Sequence, residues 1–247
     1  MIKNRKVLIT GASSGIGYEL AKIFVREKND VILVARNLAR LHDIKSELEE
    51  YGRSITVIGR DLSLPNAAKD LYDEVKAQEL HVDVLINNAG YGMYGDFIDL
   101  DIEKQLNMSQ LNISTLTQLT HLFLQDMKMK GYGRILNLGS VASFVATPSM
   151  SIYAATKAFV LSFSESLAVE LKGKGDLSVT ALCPGPTKTK FAEVSEFGNP
   201  DLFNRLAKTA PVVAEAGYRA LSKKKPVELP DQTLSLVLAG ARVLPRS

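Results

Sequence analysis

Val7-Leu8-Ile9-Thr10-Gly11-Ala12-Ser13-Ser14-Gly15-Ile16-Gly17 joins three patterns in one stretch. Arg5-Lys6 leads into an apolar run of strand length. The glycines follow at once. Ile16, Leu20, Ile23 and Phe24 then recur at the spacing of one helix face. A strand, a glycine loop and a helix in that order are the context a nucleotide site demands. The glycines permit a tight turn, and they let backbone amides approach a pyrophosphate at the positive end of the helix. The competing reading is an ordinary glycine-rich turn between a strand and a helix.

Outward from this stretch the alternation continues. Further strands are expected at Val31 to Ala35, Ser54 to Gly59, Val84 to Asn87, Gly133 to Leu138 and Leu177 to Leu182, with a short seventh around Val227-Glu228-Leu229. Most are continuous apolar runs, as parallel strands covered on both faces require. Helices are expected near Gly15 to Lys28, Leu38 to Tyr51, Pro65 to Gln78, Ile102 to Lys130 and Ser151 to Lys172. This order predicts an α/β fold: one doubly wound parallel sheet of about seven strands with helices on both faces. The ligand crevice belongs at the carboxyl ends of the strands, where Gly11, Arg36, Asp61, Asn88, Ser140 and Pro184 fall.

A second cluster bears on chemistry. Tyr153 and Lys157 are four apart on a predicted helix, hence one turn apart on one face. A fixed ammonium near a phenol favours the phenolate and lowers its pKa from about 10. Ser140 offers a hydroxyl for the substrate oxygen that takes up the proton. Alone, such a pair is common on helices. Beside the glycine loop it is not.

Together the two motifs resemble the short-chain dehydrogenase/reductase family. Thr10-Gly11 through Gly15 and Gly17 matches that family's T-G-x-x-x-G-x-G form. Asn87-Asn88-Ala89-Gly90 matches its N-N-A-G segment, and Pro184-Gly185 with Thr189 its P-G-x-x-x-T segment. Asn112, Ser140, Tyr153 and Lys157 match its catalytic tetrad in order and spacing. The string Asn88-Ala89-Gly90-Tyr91-Gly92 resembles a branch of uncharacterised reductases akin to 3-ketoacyl reductases.

The resemblance implies roles. Tyr153 is the general acid in reduction and the base in oxidation. Lys157 lowers the Tyr153 pKa and binds the nicotinamide ribose, Ser140 polarises the carbonyl, and Asn112, inside the long helix, holds a water leading to Lys157. Cofactor contacts are expected from Gly11, Ser13, Ser14, Gly15, Ile16, Gly17, Asp61, Leu62, Asn88, Ala89, Gly90, Tyr153, Lys157, Pro184, Gly185, Thr187 and Thr189. Asp61 would accept from the adenine amino group. Cofactor choice is read at the end of the second strand. NAD-preferring folds place an acid about 20 residues past the glycines. Here Val34-Ala35-Arg36-Asn37 has none, and Arg36 supplies a guanidinium suited to a 2′-phosphate. NADP(H) is therefore expected over NAD(H). The expected activity is hydride transfer between that nicotinamide and a carbonyl or secondary alcohol. The alternative is a non-catalytic dinucleotide-binding sensor or regulatory protein on the same fold. Such proteins usually lose the Tyr or the Lys; this chain keeps both.

Bulk properties narrow the partners. One domain is expected over 1–247, since no linker or repeat interrupts the chain. A net charge of +3 is too small to argue for nucleic acid. No window approaches the ~20 apolar residues of a membrane span. Val7-Leu8-Ile9 is too short for a signal-peptide core, so a cytoplasmic protein is expected. The lone cysteine, Cys183, excludes an intrachain disulfide and reads as a buried strand residue. His42, His81 and His121 lack ligand spacing, so no metal is inferred; His121 reads as packed or interfacial. The helix from Ser151 to Lys172 is apolar over most of its circumference, which points to a second buried face. The resemblance implies that this helix and the preceding long one join subunits, giving a homodimer or homotetramer. A monomer with a crowded helix is the alternative. The segment at about 186–217 is expected to cover the substrate. The apolar tail, 233–244, is too short to span a bilayer; packing on the domain, on a partner or against a membrane stays open.

Overall fold

The computed structural model describes residues 1–189, 191, 195 and 207–231. Its elements run β1 (Lys6–Thr10), α1 (Gly15–Arg26), β2 (Asp30–Ala35), α2 (Leu38–Leu48), β3 (Ile55–Gly59), α3 (Ala67–Ala77), β4 (Val84–Asn87), α4 (Ile102–Ser109), α5 (Leu116–Lys130), β5 (Tyr132–Leu138), α6 (Ser151–Glu170), β6 (Asp176–Leu182), β7 (Thr187–Lys188), β8 (Lys208–Thr209), α7 (Ala210–Ser222) and β9 (Val227–Glu228). Seven of the strands form one sheet in the order β3-β2-β1-β4-β5-β6-β9. Every pairing in it is parallel, from Lys6 opposite Asp30 to Leu182 opposite Glu228. Strand order reverses between β1 and β4, and such a switch point opens a crevice above the carboxyl ends.

Strand alternation sorts the core into two layers. Val7, Ile9, Leu33 and Ile86 pack against α1, α2 and α7. Leu8, Ile32, Leu85 and Ile135 pack against α3 and α5 on the other face. Side chains fix several helix ends. Asn37 caps α2 by accepting from Arg40 N at 2.9 Å. Asp101 caps α4, accepting from Glu103 N at 2.8 Å and Lys104 N at 3.2 Å. Such caps contribute about 1 kcal/mol each. Gly131, at φ +73°, ends α5 in the left-handed region.

Two features of the helices depart from the sequence expectation. The long helix expected from Ile102 to Lys130 is divided by a π-helical turn, Gln110–Thr115. Tertiary hydrogen bonds hold that turn: Asn112 Nδ2 donates to Tyr91 O and Thr156 Oγ1, and Thr115 Oγ1 donates to Leu62 O. The wider turn aims Asn112 at the strand ends. The second feature is α7, which the sequence pattern concealed because much of its inner face is Ala and Gly. Its residues Val213, Ala214, Gly217, Tyr218 and Leu221 are buried, and Tyr218 meets Phe24 edge to face at 5.3 Å. A Cβ on Gly217 would lie 2.7 Å from Leu182 Cδ2, so the glycine is what lets α7 close on β6. The last residues of the expected substrate cover, 210–217, thus form part of α7 and pack on the α1 side of the sheet. Residues 190, 192–194 and 196–206 of that cover, and the tail 233–244, lie outside the described residues. Among the described residues no helix is long and apolar enough to cross a membrane.

Candidate active site

A cavity of about 600 Å³ opens above the carboxyl ends of the strands. At one end lies the loop from β1 into α1. Gly11 and Gly15 hold φ of +65° and +58°, a region that strongly favours glycine. A Cβ at Gly11 would come within 2.8 Å of Asn88 Nδ2, and one at Gly15 within 2.9 Å of Thr189 Cγ2. Gly17 lies behind the loop, where a Cβ would meet Gly11 O at 2.5 Å. Ser14 stands at the N-cap of α1 but makes no side-chain capping bond, so the first amides of the helix face the cavity uncapped. A loop with no room for side chains, ending at a helix N-terminus, fits a dinucleotide pyrophosphate.

Thr10 and Asn88 staple that loop to the end of β4. Thr10 Oγ1 donates to Ile86 O and accepts from Asn88 N and Ala89 N, both at 3.0 Å. Asn88 Nδ2 donates to Thr10 O at 2.9 Å and Gly11 O at 3.1 Å. Beyond β2, Arg36 is exposed at the cavity wall and forms no ion pair with any described residue. Arg60 also lines the wall, but Glu74 at 2.7 Å and Asp70 at 3.7 Å hold it. Asp61 accepts from Ser63 N and Oγ, both on Oδ1. Burial pushes its carboxyl up, but the Ser63 bonds and the Arg36 charge outweigh that and hold it below the usual range. Leu62, Ala89, Gly90, Ile16, Ser13, Pro184, Gly185, Thr187 and Thr189 line the same cavity.

The other end of the cavity carries Ser140, Tyr153 and Lys157. Ser140 follows β5 and caps a short 3-10 turn, Val141–Ser143, accepting from Ala142 N at 3.1 Å. Tyr153 and Lys157 stand one turn apart on α6, with Lys157 Nζ 5.7 Å from the Tyr153 ring centre. Burial pushes the Tyr153 phenol up to about 12, although its hydrogen bond with Ser140 acts the other way. Burial also pulls the Lys157 ammonium down to about 8. The phenol thus stands above its usual value, not below it as the Tyr153 and Lys157 spacing led one to expect. Desolvation of both groups dominates, and Lys157 Nζ donates to Leu138 O at 2.8 Å. Asn112 lies behind the cavity wall, buried, with its amide bonded to Tyr91 and Thr156. A Cβ on Gly90 would meet Asn112 Oδ1 at 2.8 Å and Lys157 Nζ at 3.6 Å, so both groups converge beside that glycine.

Several positioning contacts were not read from the sequence. Ser143 Oγ donates to Lys157 O at 2.7 Å and accepts from Ser140 N at 3.3 Å, tying the serine turn to α6. A buried chain lies beneath: Asn87 Nδ2 donates to Thr120 Oγ1 and Asn137 Oδ1, and Asn137 Nδ2 donates to Ser164 Oγ. It joins β4 and β5 to α5 and α6. The capping box Ser140 to Ser143 was a readable local signal; the Asn87 chain, spread over four elements, was not. Cys183 is buried directly after β6, and burial pushes its thiol up to about 12. His121 is exposed on α5 and bonds Gln125, so it is not packed within the protomer.

The family model described as short chain dehydrogenase matches residues 5–197. The chain belongs to the short-chain dehydrogenase family. This short-chain dehydrogenase is an oxidoreductase acting on CH–OH or C=O groups with a nicotinamide dinucleotide. It is 35% identical over 196 residues to a very-long-chain 3-oxoacyl-CoA reductase of Anas platyrhynchos, covering 76% of this chain and 62% of that one. Among solved structures it resembles a short-chain dehydrogenase of Sphingobium yanoikuyae in complex with NADPH. The TM-score is 0.86 at 30% identity, covering 98% of this chain and 97% of that one. It also resembles the bulky-bulky ketone specific alcohol dehydrogenase of Comamonas testosteroni, with a TM-score of 0.83 at 29% identity, covering 100% and 97%.

Proposed function

We propose that this dehydrogenase is an NADP(H)-dependent carbonyl reductase, running in reverse on secondary alcohols, with Tyr153 as its general acid and base. One observation carries the reading. Ser140, Tyr153 and Lys157 meet at one end of a cavity whose other end is a glycine loop flanked by Arg36. When bound, the reduced nicotinamide supplies the hydride. The chain supplies the proton and the placement. With its phenol near 12, Tyr153 stays protonated through the neutral range, which suits donation to a carbonyl oxygen. Ser140 Oγ accepts from Ala142 N and hydrogen-bonds the Tyr153 phenol, which puts its hydroxyl beside the proton donor, where it can turn to the same oxygen. Lys157 uses one of its three donors on Leu138 O, and the others suit the ribose hydroxyls. Asn112, close to Lys157, suits the role of holding a water on the proton route.

Arg36 supports the NADP(H) preference as a guanidinium at the cavity wall without an ion-pair partner among the described residues, and the Sphingobium relative was solved with NADPH. The Anas relative supports a finer placement among 3-ketoacyl reductases. A homodimer or homotetramer is supported by α6, which exposes Phe159 and Val169, with Phe159 stacked on Phe163 at 5.7 Å. The test is Tyr153→Phe, which removes the phenol and keeps the ring. NADPH should bind as before while turnover falls by at least about 100-fold. Turnover near that of the wild type would remove Tyr153 from the role.

A further inference from the structure

We infer that the acceptor end of the cavity takes an uncharged carbonyl compound with an apolar arm, and that Gly92 and Phe191 together set the room for that arm. This rests on the reading of Tyr153 as proton donor and adds the substrate class and a specificity pair. Tyr153 is surrounded by an apolar cluster separate from both layers of the core, with Met108, Ala142 and Met150 buried and Tyr91 and Phe191 packed against it. Apolar groups gathered around a catalytic hydroxyl, away from the sheet, do not serve the core. Of these, Tyr91, Ala142, Met150 and Phe191 line the cavity, as a wall for a ligand would.

Gly92 shapes that wall. It is buried, and its φ is not positive, so no backbone demand explains a glycine there. Space does. A Cβ at Gly92 would lie 2.7 Å from Phe191 Cζ and 3.1 Å from Tyr153 Cδ2. Its absence lets the Phe191 ring rest on Tyr153, with centroids 5.4 Å apart and planes tilted by 50°. Phe191 is anchored by its backbone: its N–H donates to Thr189 Oγ1 at 3.1 Å, and its carbonyl accepts from Ser195 N at 2.8 Å. The ring is thus held over the catalytic phenol from the same segment that lines the cofactor end. Val145 is 43% exposed at the cavity lip, where an apolar side chain gains nothing unless something covers it.

Charge is distributed unevenly along the cavity. Among the described residues, the charged side chains in its wall are Arg36, Arg60, Asp61 and Lys157. The first three lie at the β2 and β3 ends, and Lys157 gives one donor to Leu138 O while its other two are assigned to the ribose. A carboxylate on the substrate arm would lose water and find no described partner.

The test follows NADPH consumption by the full-length protein at pH 7 with two ketones of one shape, methyl 4-acetylbenzoate and 4-acetylbenzoate. The ester should exceed the acid in kcat/KM by at least about a hundredfold, because the acid must bury an unpaired charge. Phe191→Ala should shift the preference between naphthyl methyl ketone and acetophenone, read as the ratio of their kcat/KM values, about tenfold toward the larger ketone, since pockets discriminate at that scale per group. Gly92→Ala, by pushing the same ring, should lower kcat/KM for acetophenone by about tenfold. NADPH titration of each variant verifies that it is folded. Equal turnover of acid and ester, or ratios unmoved in both variants, would overturn the inference while leaving the reductase reading intact. NADPH binding without reduction of either ketone or of any other carbonyl would overturn that reading and the inference with it.

Discussion

Replacing Lys157 by Met should make the cofactor-free protein more stable below about pH 8 while abolishing most of its activity. The side chain is buried beneath the cavity, and burial brings its pKa from 10.5 to about 8. The unfolded chain binds the proton more tightly than the native one. Below pH 8 the ammonium is charged in both states, and the native state bears the full cost of burying it. That difference of about 2.5 pK units corresponds to about 3 kcal/mol. Between pH 8 and 10.5 the native lysine is neutral and the cost fades, so stability rises with pH there. Methionine keeps the stem without the charge, but it leaves Leu138 O without the 2.8 Å bond from Nζ, a loss of about 1–3 kcal/mol. The net gain at pH 6.5 is then about 1 kcal/mol, or about 2–4 °C in Tm for a chain of this size. Near pH 10.5 the sign should reverse, because only the lost hydrogen bond remains. Thermal unfolding of wild type and variant at pH 6.5 and pH 10, at one protein concentration, reads this directly. A variant destabilised equally at both pH values would refute the reasoning, since it would mean that the native ammonium is not depressed.

Arg36→Ala should weaken NADPH binding ten- to a hundredfold, because hydrogen bonds to charged groups contribute roughly 1.5–3 kcal/mol, and leave NADH nearly unchanged; fluorescence titration with both cofactors checks it, and equal weakening of the two would remove Arg36 as the 2′-phosphate reader. Ser143→Ala breaks the bonds that tie the Ser140 turn to α6. It should lower kcat by about tenfold with little change in KM, the pattern of a mispositioned catalytic group, and Ser143→Thr should restore part of the loss. A change confined to Tm, with kcat intact, would make Ser143 structural only.

The fold was legible because its signals are local. Val7-Leu8-Ile9 and its counterparts are buried on both faces, so their apolar runs have nowhere to sit except a covered parallel sheet. Gly11 and Gly15 occupy left-handed backbone, and a turn of that shape announces itself by glycine. Tyr153 and Lys157 share a helix face by spacing alone. What tertiary structure decided depends on contacts between distant segments. The π-helical turn that aims Asn112 is held by Tyr91, Thr156 and Leu62, none of them its neighbours in sequence. Helix α7 has an inner face built on Ala and Gly, which makes sense only once Leu182 is seen against Gly217. The protonation of the site went the same way. Spacing placed an ammonium near a phenol, but the direction of each pKa came from burial, which no local pattern carries. The sequence by itself determined the sheet, the glycine loop and which residues stand as candidates for the chemistry, because those follow from residue type and period. The tertiary structure alone decided how wet those groups are, what holds them and which glycine makes room for Phe191 over Tyr153.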